Sequence, residues 1–259
     1  MIIDAHAHLG NDKYSDVNYY INMMNESGVS KTVLCPGGMV DVTKLADYMR
    51  GNEPLLSLIP ANELVKDAFK KYPDKFYGFF MVDPEYHEIS DIEKAIEEGF
   101  VGIKLNPLLS KINFKSKFIK EVFELSSSKR VPVYTHITLN PVASIQALSD
   151  IVNDINPIVI IGHMGFSSAD WEAVELARDN ENVFMETSVG AYAAIRKAVE
   201  VLGAKKIIFG SEGPAHHQHV EIEKIKCLGL SNLEQEQIFF RNIQRLIEGG
   251  WNGRVIKKI

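Results

Sequence analysis

Eight short apolar runs, each followed by a segment of helical period, constrain this chain more than any other feature. The runs fall at residues 2–8, 32–35, 76–82, 101–105, 131–135, 157–161, 183–187 and 207–211. Between them apolar residues recur three or four positions apart, as in Val17, Tyr20, Ile21 and Met24 ahead of Gly28. Further helices are expected at 42–49, 62–71, 90–98, 116–127, 142–152, 171–178 and 191–202, and a last one opens at Ser231. Ser90 to Glu93 and Ser231 to Glu234 both have the spacing of a capping box. Strands that are apolar almost throughout belong to parallel sheets buried on both faces. Eight strand-helix units argue for a closed (β/α)8 barrel rather than an open doubly wound sheet. No Gly-x-Gly-x-x-Gly follows the first run, so the dinucleotide-binding alternative lacks its phosphate turn. The 259 residues match the roughly 250 of one α/β TIM barrel, and a single domain over residues 1–259 is expected. The long connection at 39–72 is placed over the barrel mouth as a lid.

Charge and cysteine content narrow the class of function. A net charge of -6 and a pI near 5.8 leave no basic footprint for nucleic acid or an anionic membrane. No charged leader or long apolar span is evident, so a cytoplasmic location is expected. Cys35 and Cys227 lie far apart and read as reduced thiols. The expected partner is a small-molecule substrate, with a homo-oligomer left open.

The first run carries the chemistry. In Ile3-Asp4-Ala5-His6-Ala7-His8, strict alternation along a strand puts Asp4, His6 and His8 on one face and Ile3, Ala5 and Ala7 on the other. His-x-His at a strand end brings two imidazole nitrogens to a common point and suits a divalent metal. Other candidates follow at later strand ends: Lys104, His136, His163, Glu186 and Glu212. The active sites of such barrels lie at that edge. A further cluster, His216, His217 and His219, follows the eighth run, and one of these, His216, is a candidate substrate contact.

The segments Ile3-Asp4-Ala5-His6-Ala7-His8, Gly102-Ile103-Lys104-Leu105, Tyr134-Thr135-His136, Ile161-Gly162-His163-Met164-Gly165 and Phe209-Gly210-Ser211-Glu212-Gly213-Pro214 resemble the amidohydrolase superfamily. The likeness is nearest to its amidohydrolase-related branch of metal-dependent hydrolases and decarboxylases. The resemblance implies that His6, His8 and His136 ligate a metal and that His163 is a catalytic imidazole stabilising developing negative charge. The eighth-strand acid is an aspartate in that pattern and both touches the metal and moves a proton; here it is Glu212. The extra methylene moves the carboxylate roughly 1.5 Å outward, against metal-oxygen distances of about 2.0–2.2 Å. Lys104, Glu186 and His216 are expected to contact substrate, and Asp4 to lie inward and orient a neighbour. The expected cofactor is one divalent ion, with Zn2+ foremost and manganese or iron open. The expected activity is hydrolysis of a small amide, lactone or ester through a metal-activated water. Non-oxidative decarboxylation and a metal-free ligand-binding barrel are the alternatives.

Overall fold

The computed structural model describes residues 1–37, 59–165 and 170–249. The expected helix at 42–49, and most of the expected lid, lie outside these residues. Eight parallel strands form one sheet in sequence order: β1 (Ile3–Leu9), β2 (Lys31–Pro36), β3 (Phe76–Val82), β4 (Gly102–Leu105), β5 (Val133–Thr135), β6 (Val159–Ile161), β7 (Val183–Glu186) and β8 (Ile207–Ile208). Ala5 N donates to Phe209 O, Glu212 N to His6 O and His8 N to Gly213 O, at 3.0, 2.8 and 2.7 Å. These bonds bring β1 back against the chain that leaves β8 and close the barrel.

Helices cover the outside: α1 (Val17–Ser27), α2 (Asn62–Lys71), α3 (Ile89–Glu97), α4 (Lys117–Lys129), α5 (Ile145–Ile155), α6 (Trp171–Asp179), α7 (Tyr192–Leu202), α8 (Gln218–Lys226), α9 (Asn232–Glu236) and α10 (Asn242–Ile247). Local chemistry sets their ends. Asp16, Ser116, Ser144 and Asp170 accept an amide of the first turn, and Gly28, Arg130 and Asn156 close helices in the left-handed conformation. The cap of α3 falls two residues earlier than its sequence suggests. Glu88 and Asp91 form the reciprocal pair there, the side chain of each accepting the backbone amide of the other. The box at Ser231 and Glu234 opens α9 as expected. A π turn over Gln237–Arg241 joins α9 to α10, so the last helix is not one regular run. No helix of the described residues is long and apolar enough to cross a membrane.

Two apolar layers result. The outer faces of the strands pack on the helices through Leu34, Ile103, Val133, Val159, Met185 and Phe209. The barrel interior is filled by Ile3, Ala5, Val33, Phe79, Met81, Ile160, Phe184 and Ile208, and α10 adds Ile243 and Leu246 to the same cluster. A packed interior of this kind leaves the strand carboxyl ends as the place for polar side chains.

The first strand departs from strict alternation. Asp4 pairs with Thr32 but Ala7 pairs with Leu34, so β1 carries one residue more than β2 across that step. Ala5 consequently packs in the interior cluster while Ala7 packs with the helices. Asp4 is sent outward instead of inward, where Gln218 of α8 donates to it at 2.8 Å and to its strand neighbour Thr32 at 3.2 Å. A bulge leaves an amide without a ladder partner, and Asp4 Oδ1 accepts that amide, His6 N, at 3.2 Å. Ser211 N and Oγ donate to the same carboxylate at 2.9 and 2.6 Å. We predict that Asp4→Ala, which strips the acceptor from four buried donors, lowers unfolding free energy by about 2–4 kcal/mol in urea titrations.

Candidate metal centre

Six polar head groups from five strands and their following loops meet at the barrel mouth. The bulge turns both His6 and His8 inward, and His6 stacks on Tyr134 of β5 with ring centroids 4.2 Å apart. His136 follows β5 two residues after Tyr134, and His163 sits in the short turn after β6. Glu212 follows β8, and Lys104 rises from β4. The four imidazoles all present Nε2 to this point. Glu212 Oε2 lies 2.5 Å from His6 Nε2 and 3.6 Å from His163 Nε2, while its Oε1 lies 3.4 Å from His8 Nε2. His136 Nε2 is 2.9 Å from His163 Nε2 and 2.8 Å from Lys104 Nζ. Lys104 Nζ is also 3.3 Å from His6 Nε2.

The spacing suits a metal shell. Ligand atoms about 2.0–2.2 Å from one ion, at angles between square and tetrahedral, stand about 3–3.5 Å apart. Apart from the closer Glu212–His6 approach, the separations here bracket that range. Glu212 Oε2 is buried and makes no hydrogen bond among the described residues, although His6 Nε2 is so near. The two atoms are near enough to serve as ligand atoms of one cation. His6, His136 and His163 also form a compact group of potential ligand atoms by themselves. The donor set is therefore chemically suited to a divalent ion, and the longer Glu212 side chain is accommodated by a left-handed backbone at that residue, with φ at 61°.

Burial dominates the electrostatics. It drives His136 well below the ordinary imidazole range, with Lys104 adding to the effect, and takes His163 down to about 4. Burial likewise lowers Lys104. Glu212 moves the other way. Burial alone would raise it, but His6, His163 and His8 together hold it well below the usual carboxylate range. His6 and His8 differ from His136 and His163: burial would lower both, but Glu212 and Cys35 together raise them, His8 well above the ordinary range, so an ion bound there takes the place of their protons.

Three of the four imidazoles are oriented from their far side. His8 Nδ1 lies 3.1 Å from Pro36 O, and the Nδ1 atoms of both His6 and His8 are 3.6 Å from Cys35 Sγ. Behind His163 stands Ser188, whose Oγ is 2.8 Å from His163 Nδ1 and donates to Glu186 Oε2 at 2.7 Å. That hydroxyl proton is committed to the carboxylate, so Ser188 accepts from His163 Nδ1 and leaves the lone pair on Nε2. In this tautomer neutral His163 presents the Nε2 lone pair to the mouth.

Glu186 takes a different place from the one expected. It is fully buried and receives Tyr134 Oη at 2.7 Å, His163 N at 3.2 Å and Ser188 N at 2.5 Å, so it positions the site without reaching its mouth. A side chain at Gly210 would overlap Glu186 Oε1, which is why the eighth strand ends in glycine there. His216 stays outside the imidazole group, half exposed, with Nδ1 3.5 Å from Glu221 Oε1. His217 caps α8 instead. Ser188, Tyr134 and Cys35 were not among the expected site residues. Period-two spacing carried the signal for two of them: Tyr134 precedes His136 by two, and Ser188 follows Glu186 by two.

We predict that Ser188→Ala moves His163 from the Nδ1–H tautomer to a mixture, read in long-range proton-nitrogen spectra of the imidazoles. Ser188→Thr, which keeps the hydroxyl, retains it.

A family model described as amidohydrolase matches residues 3–248. No curated protein matches the chain in sequence. Among solved structures, an uncharacterized TIM-barrel protein from Bordetella bronchiseptica superposes with a TM-score of 0.74 at 14% identity, covering 95% of this chain and 98% of that one. A dihydroxybenzoic acid decarboxylase from a Polaromonas species, with bound manganese and the inhibitor 2-nitroresorcinol, gives 0.69 at 18% identity over 96% and 97% of the two chains. A 4-oxalomesaconate hydratase from Rhodopseudomonas palustris gives 0.68 at 18% identity over 96% of each. At such identities the structural likeness speaks for the barrel fold alone. The family match spans the three strand ends that carry the imidazoles and the one that carries the acid, and on it the chain belongs to the amidohydrolase family.

Proposed function

We propose that this chain is a metal-dependent hydrolase acting on a small amide, lactone or ester. The observation that carries the reading is the ionised Glu212 carboxylate standing 2.5–3.6 Å from the Nε2 atoms of His6, His8 and His163, with His136 Nε2 beside the last of these. His6, His8, His136 and Glu212 would hold one divalent ion, zinc foremost. When bound, such an ion supplies Lewis acidity and lowers the pKa of water at the site toward 7. Glu212 accepts the proton of the attacking water. His163 Nε2, 3.6 Å from Glu212 Oε2, takes that proton in turn and delivers it to the leaving group. The imidazolium so formed is held through Ser188 by the buried Glu186 carboxylate, which orients the ring throughout.

Lys104 favours a second reading, non-oxidative decarboxylation of a small carboxylic acid. Its amine reaches the same point, and among the described residues no carboxylate lies within ion-pair distance of it. A substrate carboxylate would complete that pairing. The Polaromonas relative named above is a decarboxylase, which supports keeping this chemistry in view. A ligand-binding barrel without metal is the third reading.

Two experiments separate them. Protein loaded with zinc or manganese is assayed against lactones, amides and esters beside a panel of aromatic and enol acids monitored for carbon dioxide. Turnover of the first panel, reduced about 10²–10⁴-fold in Glu212→Gln, is expected; carbon dioxide release with no hydrolysis overturns it in favour of decarboxylation. Chelation is expected to lower the melting temperature by roughly 5–10 °C at an ion concentration near a hundred times its dissociation constant. No shift, together with substoichiometric metal by elemental analysis, overturns the metal readings.

A further inference from the structure

The imidazoles of His6 and His8 have a second usable face. Their Nε2 atoms point toward Glu212, and their Nδ1 atoms point away from it, where both meet one sulfur. Cys35 Sγ lies 3.6 Å from His6 Nδ1 and 3.6 Å from His8 Nδ1. Strand pairing puts it there, since Cys35 is the β2 partner of His8 in a parallel ladder and shares its inward face. Cys35 and His6 are buried, and the side chain of His8 is only 12% exposed. Sulfur is the one polar atom that approaches His6 Nδ1 among the described residues.

The distances are those of a coordination site. A zinc-sized ion bonded to a thiolate at about 2.3 Å and to an imidazole at about 2.0–2.1 Å, with a tetrahedral angle between them, holds the two ligand atoms about 3.6 Å apart, and a larger thiophilic ion such as Cd2+ needs them to part slightly. Both sulfur-nitrogen separations have that value, and all three ligand atoms lie within 4.8 Å of one another. The space is kept open by Gly37. A Cβ at that residue would come to 2.5 Å of His8 Nδ1, so any other side chain would close the edge of the ring that faces the sulfur.

We propose that Cys35 Sγ, His6 Nδ1 and His8 Nδ1 form a second metal site, for a thiophilic ion such as Cd2+, on the face of the histidine pair turned away from Glu212. Softness sorts the two faces. A thiolate with two imidazoles selects thiophilic ions, whereas the face that includes a carboxylate accepts harder ones. Binding breaks the Cys35 S–H bond and its proton leaves to solvent; the hydrogen bond from Cys35 to Ala7 O, 3.4 Å long, is given up, as is that from His8 Nδ1 to Pro36 O, 3.1 Å long, whose proton passes through solvent to Nε2. A neutral imidazole has one lone pair, so ligation through Nδ1 requires the ring proton on Nε2. Occupation of the Cys35 face therefore turns N–H groups of His6 and His8 toward the Glu212 carboxylate and removes both as ligands on that side, so a neutral pair ligates on one face at a time.

Cys227 is exposed and would add a second thiol signal, so the test uses Cys227→Ser protein as its background. Cadmium chloride is titrated while the ultraviolet thiolate-to-cadmium charge-transfer band is followed. The band is specific to sulfur and ignores the exposed histidines of the loop after β8. It is expected to saturate at one ion per chain, to be absent once Cys35→Ser is added, and to persist once Glu212→Gln is added. X-ray absorption at the cadmium edge, on Cys227→Ser protein with one equivalent, needs no change at Cys35 and is expected to show one sulfur beside nitrogen neighbours. No band with Cys35 intact, a band that survives Cys35→Ser, loss of the band in the Glu212→Gln protein, or a cadmium shell of nitrogen and oxygen alone each overturns the proposal. None of these readouts depends on hydrolysis or decarboxylation.

Discussion

The extra residue in β1 governs the site. Without it, alternation would aim Asp4, His6 and His8 at the same side of the sheet, and an acid would compete for the barrel interior that Ile3 and Ala5 fill. With it, the strand divides its labour. Below the step the acid faces α8; above it two imidazoles face the mouth. Bulges beside functional sites commonly re-aim side chains in this way. The amide that the bulge leaves unpaired is then satisfied by the acid two residues earlier, so the feature stabilises its own geometry.

A second regularity concerns how the imidazoles are held. His6, His8 and His163 each meet a neighbour through Nδ1 and leave Nε2 toward the mouth, but the neighbours differ: a thiol, a carbonyl with that thiol, and a serine backed by a carboxylate. His136 has no Nδ1 partner among the described residues. Fixing the far nitrogen sets the tautomer and the ring plane together, which is how outer partners tune a metal ligand. Glu186 is the hub of this support. It joins β5, the turn after β6 and the chain after β7 through one buried carboxylate, and the left-handed backbone at His163 and at Val189 marks where the chain is bent to reach it.

The barrel was legible because its signal repeats. Eight apolar runs, most of them bounded by Gly, Pro or Asn and each followed by a helical period, survive errors of a residue or two at any one boundary. The convergence of His6, His8, His136, His163, Lys104 and Glu212 was legible for a related reason, since all fall at strand carboxyl ends. What stayed hidden depends on local register. Asp4 was placed on the wrong face because a bulge leaves no mark in a seven-residue run. Ser188 escaped notice, and Cys35 read as an ordinary reduced thiol, because their importance lies in what they touch, and a serine or cysteine at a strand end looks the same whether or not an imidazole stands behind it. The direction of the His163 proton was beyond reach for the same reason, as it follows from one serine hydroxyl already committed to Glu186.

The carboxylate of Asp4 holds both the His6 amide and Ser211, the residue directly before Glu212. The strand that carries two imidazoles and the loop that carries the acid are thereby clamped to one anchor on the outer wall. Loops elsewhere on the rim are free to diverge and reshape what enters, while these two jaws of the grip keep their spacing. Variation in specificity and constancy of grip can thus coexist in one rim.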